Sequence, residues 1–335
     1  MESEVDASKK KRIMIIDALN MYYRAYIVDP SLSTNGQPIG GIKGFFKILQ
    51  KLLRETKPDK VIICWDGAGG SRKRKSAVKD YKAGRKPIRL NRAIRNLSEN
   101  EEVENKVWQQ TRLMEYLNCL PVVQLVLASV EADDIISYVC RTHASLAGWE
   151  KLIISSDKDF LQLCDAETVL YRPIQKEAMN TQGVVRKYGI HPENFALARA
   201  IAGDKSDNLP GIAGVGLPTI AKRLPMLKES RTVTIDELMD YCETVDSKVA
   251  AYVKIVEGRE VVELNYKLMQ LYAASIPVQG KTKIDYAIDN CEYALNKTEF
   301  IKMMTEDGFG EGNWSALFQV MNKIAFDFGN NGGSQ

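Results

Sequence analysis

Short apolar runs alternate with amphipathic stretches through the first half of the chain. Ile13–Ile16 is apolar at consecutive positions and stops at Asp17. Val61–Trp65 repeats the pattern and stops at Asp66. Unbroken apolar runs of this length are what strands buried on both faces look like. Val122–Leu127 and Lys151–Ser155 read as a third and a fourth strand, and Val169–Tyr171 as a short fifth. Helical patterns lie between them. Asn20–Ile27 is one, and Gly41–Arg54, apolar at 42, 45, 46, 49, 52 and 53, is another. Val103–Leu117 follows, then Glu131–Cys140, whose inner face is Ile135, Ile136 and Val139. This alternation predicts an α/β fold with a mostly parallel central sheet. From Thr181 onward the pattern turns helical. A glycine-rich turn, Gly211–Gly216, leads into a helix over Thr219–Leu227, and weaker helical patterns cover Ile235–Tyr241, Lys248–Ile255 and parts of 266–334. Two regions are expected, 1–180 and a mainly helical 181–335. Residues 1–8 and the polar tail GNNGGSQ are expected to lack regular structure.

Composition adds limits. A chain of 335 residues that is 45% hydrophobic can bury a large core. Six cysteines form no CxxC pair and several sit in apolar runs, the usage of a reduced cytosolic protein. Met1–Asp6 is acidic and no apolar h-region follows, so no signal peptide is expected. No apolar stretch is long enough to span a bilayer. A cytoplasmic protein is the expectation. The net charge is only +3, but residues 72–92 carry ten basic residues against one acidic residue, Asp80. Residues 67–100 show little apolar periodicity and are expected to be exposed.

The acidic residues change the picture most. Ligands of open parallel sheets bind beyond the carboxyl ends of the strands. Asp17, Asp66 and Asp157 fall at such ends, so three distant strands would deliver three carboxylates to one rim. VEADD adds Glu131, Asp133 and Asp134 at a helix start. Glu131 and Asp134 lie about 60° apart around a helix axis, and Asp133 about 100° from Asp134. All three can face one site only at the helix terminus. Acidic enrichment of a first turn is the bland alternative. SSDKD adds Asp159, and GDKSDN adds Asp204 and Asp207. Nine acidic groups packed together would repel and partly protonate. Divalent cations relieve that, and hard oxygen donors suit Mg²⁺, with Mn²⁺ as a substitute. His143 and His191 are the only histidines and neither has a metal-ligand spacing, which argues against a His/Cys zinc centre and a histidine general base. Two metals about 4 Å apart would lower the pKa of an attacking water and stabilise a leaving 3′-oxygen. That is phosphodiester hydrolysis giving a 5′-phosphate and a 3′-hydroxyl.

IDALN at 16–20, CWDG at 64–67, VEADD at 130–134, SSDKDFLQL at 155–163 and GDKSDNLPGIAGVG at 203–216 resemble, in this order, the flap endonuclease/5′–3′ exonuclease family. The freestanding phage and bacterial branch, including the phage RNase H type, and the 5′ nuclease domain of DNA polymerase I are similar. The motifs span residues 13–220. The resemblance implies a PIN-like domain with a helical arch, here roughly 68–105. It implies that Asp17, Asp66, Glu131 and Asp133 surround a first metal, and that Asp134, Asp157, Asp159, Asp204 and Asp207 lie nearer a second. YKAGR at 81–85 resembles the family's tyrosine–lysine–x–x–arginine element, so that Tyr81 would stack on a base while Lys82 and Arg85 polarise the scissile phosphate. The glycine turn at about 203–227 resembles a helix–hairpin–helix-like duplex grip that also takes K⁺. Phosphate contacts are expected from Arg72, Lys73, Arg74, Lys75, Lys79 and Lys86, and from Lys205, Ser206, Gly214, Gly216, Lys222 and Arg223.

Two departures stand out. Trp65 replaces the commoner phenylalanine, a change that packing is expected to absorb. Pro218 and Ile220 alter the small-residue run after the glycines and are expected to shift the helix start. Trp314, Leu317 and Phe318 read as a core helix, with a docking face for a sliding clamp as the alternative. The expected activity is cleavage of 5′ flaps, nicked duplex and RNA–DNA hybrids by a monomer, with a clamp or single-strand-binding protein as partner. Two other readings remain, a PIN-like ribonuclease on single-stranded RNA and a non-catalytic DNA-binding replisome component.

Overall fold

The central strand is β1 (Arg12–Asp17), and residues Ile13 to Ile16 are fully buried. The computed structural model describes residues 10–245, 249–291, 294–310 and 314–329. Residues 1–8, Lys248 and the tail beyond Gly329 lie outside these. After β1 come α1 (Ala18–Val28), α2 (Gly40–Thr56), β2 (Lys60–Trp65), α3 (Arg72–Ala77), α4 (Glu99–Asn118), β3 (Val123–Val126), α5 (Ala132–Arg141), β4 (Glu150–Ile154), β5 (Thr168–Arg172) and β6 (Glu177–Met179). The sheet order is β3-β2-β1-β4-β5-β6. The first five strands run parallel, and β6 pairs antiparallel with β5. β2, β1 and β4 are therefore neighbours, and their carboxyl ends share one rim.

The remaining chain forms α6 (Thr181–Tyr188), α7 (Phe195–Ala202), a two-residue hairpin of β7 (Gly203–Asp204) and β8 (Leu209–Pro210), and α8 (Leu217–Arg223). Then follow α9 (Ile235–Thr244), α10 (Ala250–Glu257), α11 (Arg259–Met269), α12 (Val278–Asp289), α13 (Lys297–Glu306) and α14 (Ser315–Gly329). The sheet divides two apolar cores. Ile13, Ile15 and Ile62 face α5, α7 and the helices of 195–288, while Met14, Ile16 and Ile63 face α1, α2, α4, α13 and α14. Among the described residues no helix is long and apolar enough to cross a membrane.

Several expectations need correction. Segment 67–100 is not uniformly exposed, because Tyr81 packs on Leu209, Leu268 and Met269, and Leu90 is buried in the α2–α4 core. It holds only one short helix, α3, before α4 begins at Glu99, four residues earlier than the apolar pattern suggested. There Ser98 and Glu101 close a capping box. Pro218 sits in the first turn of α8, which starts at Leu217. Trp65 is absorbed as expected, fully buried with its indole N–H donating to Gln124 Oε1 at 2.9 Å. Leu317 and Phe318 are buried in the core and Trp314 packs edge-on against Phe46 and Phe300, so these three residues belong to the core helix. No disulfide joins any two of the six cysteines.

Candidate active site

Asp17 ends β1 and caps α1. Its Oδ1 accepts from the Asn20 N–H (3.2 Å) and its Oδ2 from the Ser155 hydroxyl (2.8 Å). Burial outweighs both bonds and pushes its carboxyl up to about 7. Asp66 follows β2 directly, and its Oδ1 accepts the Ala132 N–H (2.7 Å) at the start of α5. That bond ties the β2 exit to the first turn of α5, where Asp133 is pushed well above the carboxylate range by burial and by the charges of Asp157 and Asp17. Asp157 lies three residues past β4 and accepts the Asp159 N–H (2.8 Å). Burial raises Asp157 as well, against that bond and the Arg199 charge. Asp159 rises to about 7, first through burial and then through Asp157.

Cations answer the other carboxylates. Arg74 of α3 reaches Glu131 and Asp134, the latter at 3.0 Å, while its Nε donates to the Leu268 carbonyl. Lys82 Nζ lies 2.7 Å from Glu131 Oε1, and the Ser71 hydroxyl bonds the same carboxylate. Burial would raise Glu131, but Arg74 and Lys82 hold it below the ordinary value. Arg199 of α7 bridges Asp159 (2.8 Å) and Asp204. Arg85 pairs with Asp207, whose Oδ2 also accepts the Tyr81 hydroxyl at 3.0 Å. The Lys82 N–H donates to the Asp207 carbonyl, and Lys82 itself is held at φ +58°. Segment 81–85 is thus fastened onto the β7–β8 hairpin.

One cavity is lined by Asp17, Asp66, Asp133, Asp157, Asp159 and Asp207, with Arg74, Tyr81, Lys82 and Arg85 across from them. Glu131, Asp134 and Asp204 do not line it; they turn to Arg74, Lys82 and Arg199. Glu131 is the extended N-cap residue before α5, and Asp133 and Asp134 lie about 100° apart around its first turn, so the three need not face one side. Five of the nine carboxylates (Glu131, Asp134, Asp159, Asp204, Asp207) are in ion pairs, whereas Asp17, Asp66, Asp133 and Asp157 form none among the described residues. As they stand, no three His, Cys, Asp or Glu side chains among the described residues are gathered closely enough to hold a metal ion. The donor set nevertheless fits a hard divalent ion: it is all oxygen, and three of the four unpaired carboxylates are raised by burial, with neighbouring carboxylates adding to it.

The predicted nucleic-acid contacts are dispersed. Arg72, Lys73, Lys75, Lys79, Arg85 and Lys86 are exposed, although Lys73 bonds Ser275. Lys205, Ser206, Lys222, Gly214 and Gly216 are exposed and Arg223 is half-buried. Gly214 adopts φ +79°, which the turn before α8 requires. Sequence reasoning missed Arg199, Ser155 and Ser71. Only Arg199 left a signal, as the lone charge in the apolar helix FALARAIA.

A family model described as 5′–3′ exonuclease, N-terminal resolvase-like domain, matches residues 12–189. Thermostable DNA polymerase I of Thermus thermophilus is 29% identical over 90% of this chain, and this chain spans only 34% of that one. Flap endonuclease Xni of Shewanella sp. (strain MR-4) is 31% identical over 78% of this chain and 90% of its own length. A solved structure of T5 5′-exonuclease with divalent metal ions (zinc) bound shares the fold, with a TM-score of 0.62 at 16% identity, over 89% of this chain and 98% of that one.

Proposed function

The chain belongs to the 5′–3′ exonuclease/flap endonuclease family, and from that premise we propose that it is a structure-specific 5′ nuclease, hydrolysing phosphodiester bonds of 5′ flaps, nicked duplex DNA and RNA–DNA hybrids. One observation carries the reading. Asp17, Asp66 and Asp157 leave three adjacent parallel strands and meet Asp133 at one rim, without ion pairs among the described residues, in a cavity that Tyr81, Lys82 and Arg85 also line. In this reading the fold is PIN-like, with 1–180 as the nuclease domain, 181–335 as the duplex-binding region, and a monomer acting in the cytoplasm.

Asp17, Asp66, Glu131 and Asp133 are the proposed seat of one Mg²⁺, and Asp134, Asp157, Asp159, Asp204 and Asp207 of a second. Bound there, the ions would acidify water and stabilise the leaving oxygen. The chain's own cations supply the rest. Lys82 and Arg85 now hold Glu131 and Asp207, and an entering phosphodiester offers both a competing anion. Their transfer to the phosphate would release those carboxylates and orient the scissile bond. The Tyr81 ring, over which Lys82 Nζ sits at 5.0 Å, is buried against Leu209, Leu268 and Met269, so stacking on a base would need it to leave that packing. Lys205, Lys222, Arg223 and the backbone at Gly214 and Gly216 would hold the duplex strand, with K⁺ at the turn carbonyls. Such phosphate contacts predict little sequence preference.

The test is cleavage of an end-labelled 5′-flap duplex with Mg²⁺ and with EDTA, beside nicked duplex, RNA–DNA hybrid and single-stranded RNA. Metal-dependent cuts near the junction are expected. Cleavage of single-stranded RNA alone, or tight flap binding without cutting under any divalent ion, would overturn the proposal.

A further inference from the structure

One wall of the catalytic cavity has an anchor of its own. Leu268 and Met269, in the last turn of α11, line the cavity together with Leu271 just beyond it. The last four carbonyls of a helix lack intrahelical partners. Side chains from distant elements take two of these. Arg74 Nε donates to the Leu268 carbonyl at 3.0 Å, and Gln162 Nε2 donates to the Met269 carbonyl at 3.1 Å. Gln162 belongs to the short turn Asp159–Leu163 and is 2% exposed. Its Nε2 donates its other hydrogen to the Asp159 carbonyl at 2.8 Å, and its Oε1 accepts the Leu271 N–H at 2.7 Å. The Ser137 hydroxyl of α5 bonds the Leu271 carbonyl. Gln162 itself does not line the cavity.

The strip Leu268–Leu271 is also the seat of Tyr81, whose buried ring packs on Leu268, Met269 and Leu209. The next residue, Lys82, is held at φ +58°, with its N–H on the Asp207 carbonyl at 2.8 Å and its Nζ 2.7 Å from Glu131. Arg85 pairs with Asp207. The two cations thus take their places from a turn that the Tyr81 ring anchors. Interiors are close-packed, so a buried ring keeps its place only while the side chains under it keep theirs. Gln162 ties those side chains to Asp159, whose own N–H is bonded to Asp157. One buried amide therefore joins the loop of Asp157 and Asp159 to the seat of the segment that carries Lys82 and Arg85.

We propose that Gln162 is a positioning residue for phosphodiester cleavage: by pinning Met269 and Leu271 to the carboxylate loop, it sets where Tyr81 presents Lys82 and Arg85 to the scissile phosphate. The proposal rests on the nuclease reading above and adds to it a residue outside the cavity. An apolar side chain at 162 leaves the Met269 carbonyl and the Leu271 N–H without partners, and the strip gains freedom to part from the loop. The Tyr81 ring moves with its seat, and the two cations then act from a displaced turn. A misplacement of about 1 Å costs about a hundredfold in rate, so a partial displacement predicts a loss of about tenfold.

Gln162→Met in the full chain tests this, with Gln162→Glu, which keeps the length and the acceptor for the Leu271 N–H, as the milder change. Amide hydrogen exchange in EDTA reads the seat without any cleavage. Segment 78–86, which holds the bonded Lys82 N–H, should exchange about tenfold faster in Gln162→Met and by a smaller factor in Gln162→Glu, while β1 keeps its wild-type protection. Flap cleavage in Mg²⁺ reads the consequence. Gln162→Met should lower kcat about tenfold with KM within about twofold. Placed on Tyr81→Ala, where no ring is left to seat, the same change should lower kcat by less than about twofold. A loss of folding alone would act equally in both backgrounds. Unchanged exchange of 78–86 in both variants, or the same fold loss of kcat with and without the Tyr81 ring, would overturn the positioning role. A wild type that cuts none of the substrates would instead overturn the nuclease reading beneath it.

Discussion

Asp17→Asn should stabilise the metal-free protein at alkaline pH and lose that advantage in acid. Asp17 sits at about 7 in the fold, against an ordinary value of 3.8, because burial disfavours its charge. Between these values the native state keeps a proton that the unfolded chain has released, so stability falls as pH rises through the window and levels off above about 7. The difference amounts to roughly 4 kcal/mol at about 1.4 kcal/mol per pH unit. Asparagine is isosteric and cannot ionise. It keeps one acceptor for the Asn20 N–H but forces the Ser155 hydroxyl to turn, at a cost of about 1 kcal/mol. The net gain at pH 8 is about 3 kcal/mol, on the order of 4 °C in melting temperature for a chain of this size. Near pH 4 the wild-type carboxyl is protonated in the fold and close to its ordinary value in the unfolded chain, so only the lost bond remains and the variant is slightly the weaker. The assay is thermal unfolding of both proteins in EDTA across this range. Mg²⁺ at pH 8 should raise the wild type more than the variant. An advantage for Asp17→Asn that is equal at pH 4 and pH 8, or a variant less stable at pH 8, would refute the reasoning.

Three further outcomes are expected. Asp157→Asn should abolish flap cleavage while leaving flap binding, measured by fluorescence anisotropy, within a few-fold of wild type; cleavage at the wild-type rate would remove Asp157 from the site. Arg74→Met should cost about 3 kcal/mol by denaturant unfolding, because Asp134 and one oxygen of Glu131 are left buried without a cation, and Arg74→Lys should restore only part of this because an ammonium cannot fork to both. Gly203→Ala should destabilise by more than about 2 kcal/mol and impair cleavage, since its φ is +73° and a Cβ would lie 2.3 Å from the Gly211 nitrogen beside Asp204. Gly84→Ala, equally left-handed at φ +74° but with nothing within 4 Å, should cost only about 1 kcal/mol; equal losses for the two would show that the clash is irrelevant.

The rim was legible in the sequence because two strong local signals coincide there. Strands buried on both faces read as apolar runs, and a carboxylate at or just beyond such a run marks the end at which ligands bind. Asp17, Asp66 and Asp157 needed nothing more. Their neighbours were illegible for a matching reason. Arg74 meets Asp134 across 60 positions, and Ser155 meets Asp17 across 138. No periodicity records such pairs. The same holds for Tyr81, which looked exposed beside so many lysines and arginines but is buried by Leu209, Leu268 and Met269. The strands β6, β7 and β8 are too short to carry an alternation at all. VEADD is the instructive case. Its spacing set Asp133 apart from Asp134 around a helix but left one shared site at the helix start open, and it did not say where the cations lay. Once Arg74 is placed, the division follows: Glu131 and Asp134 face a guanidinium, whereas Asp133, raised by burial, faces the like charges of Asp157 and Asp17. Asp17, Asp133 and Asp157 are raised by burial and have no ion pair among the described residues, so it is at these positions that asparagine should stabilise the metal-free protein.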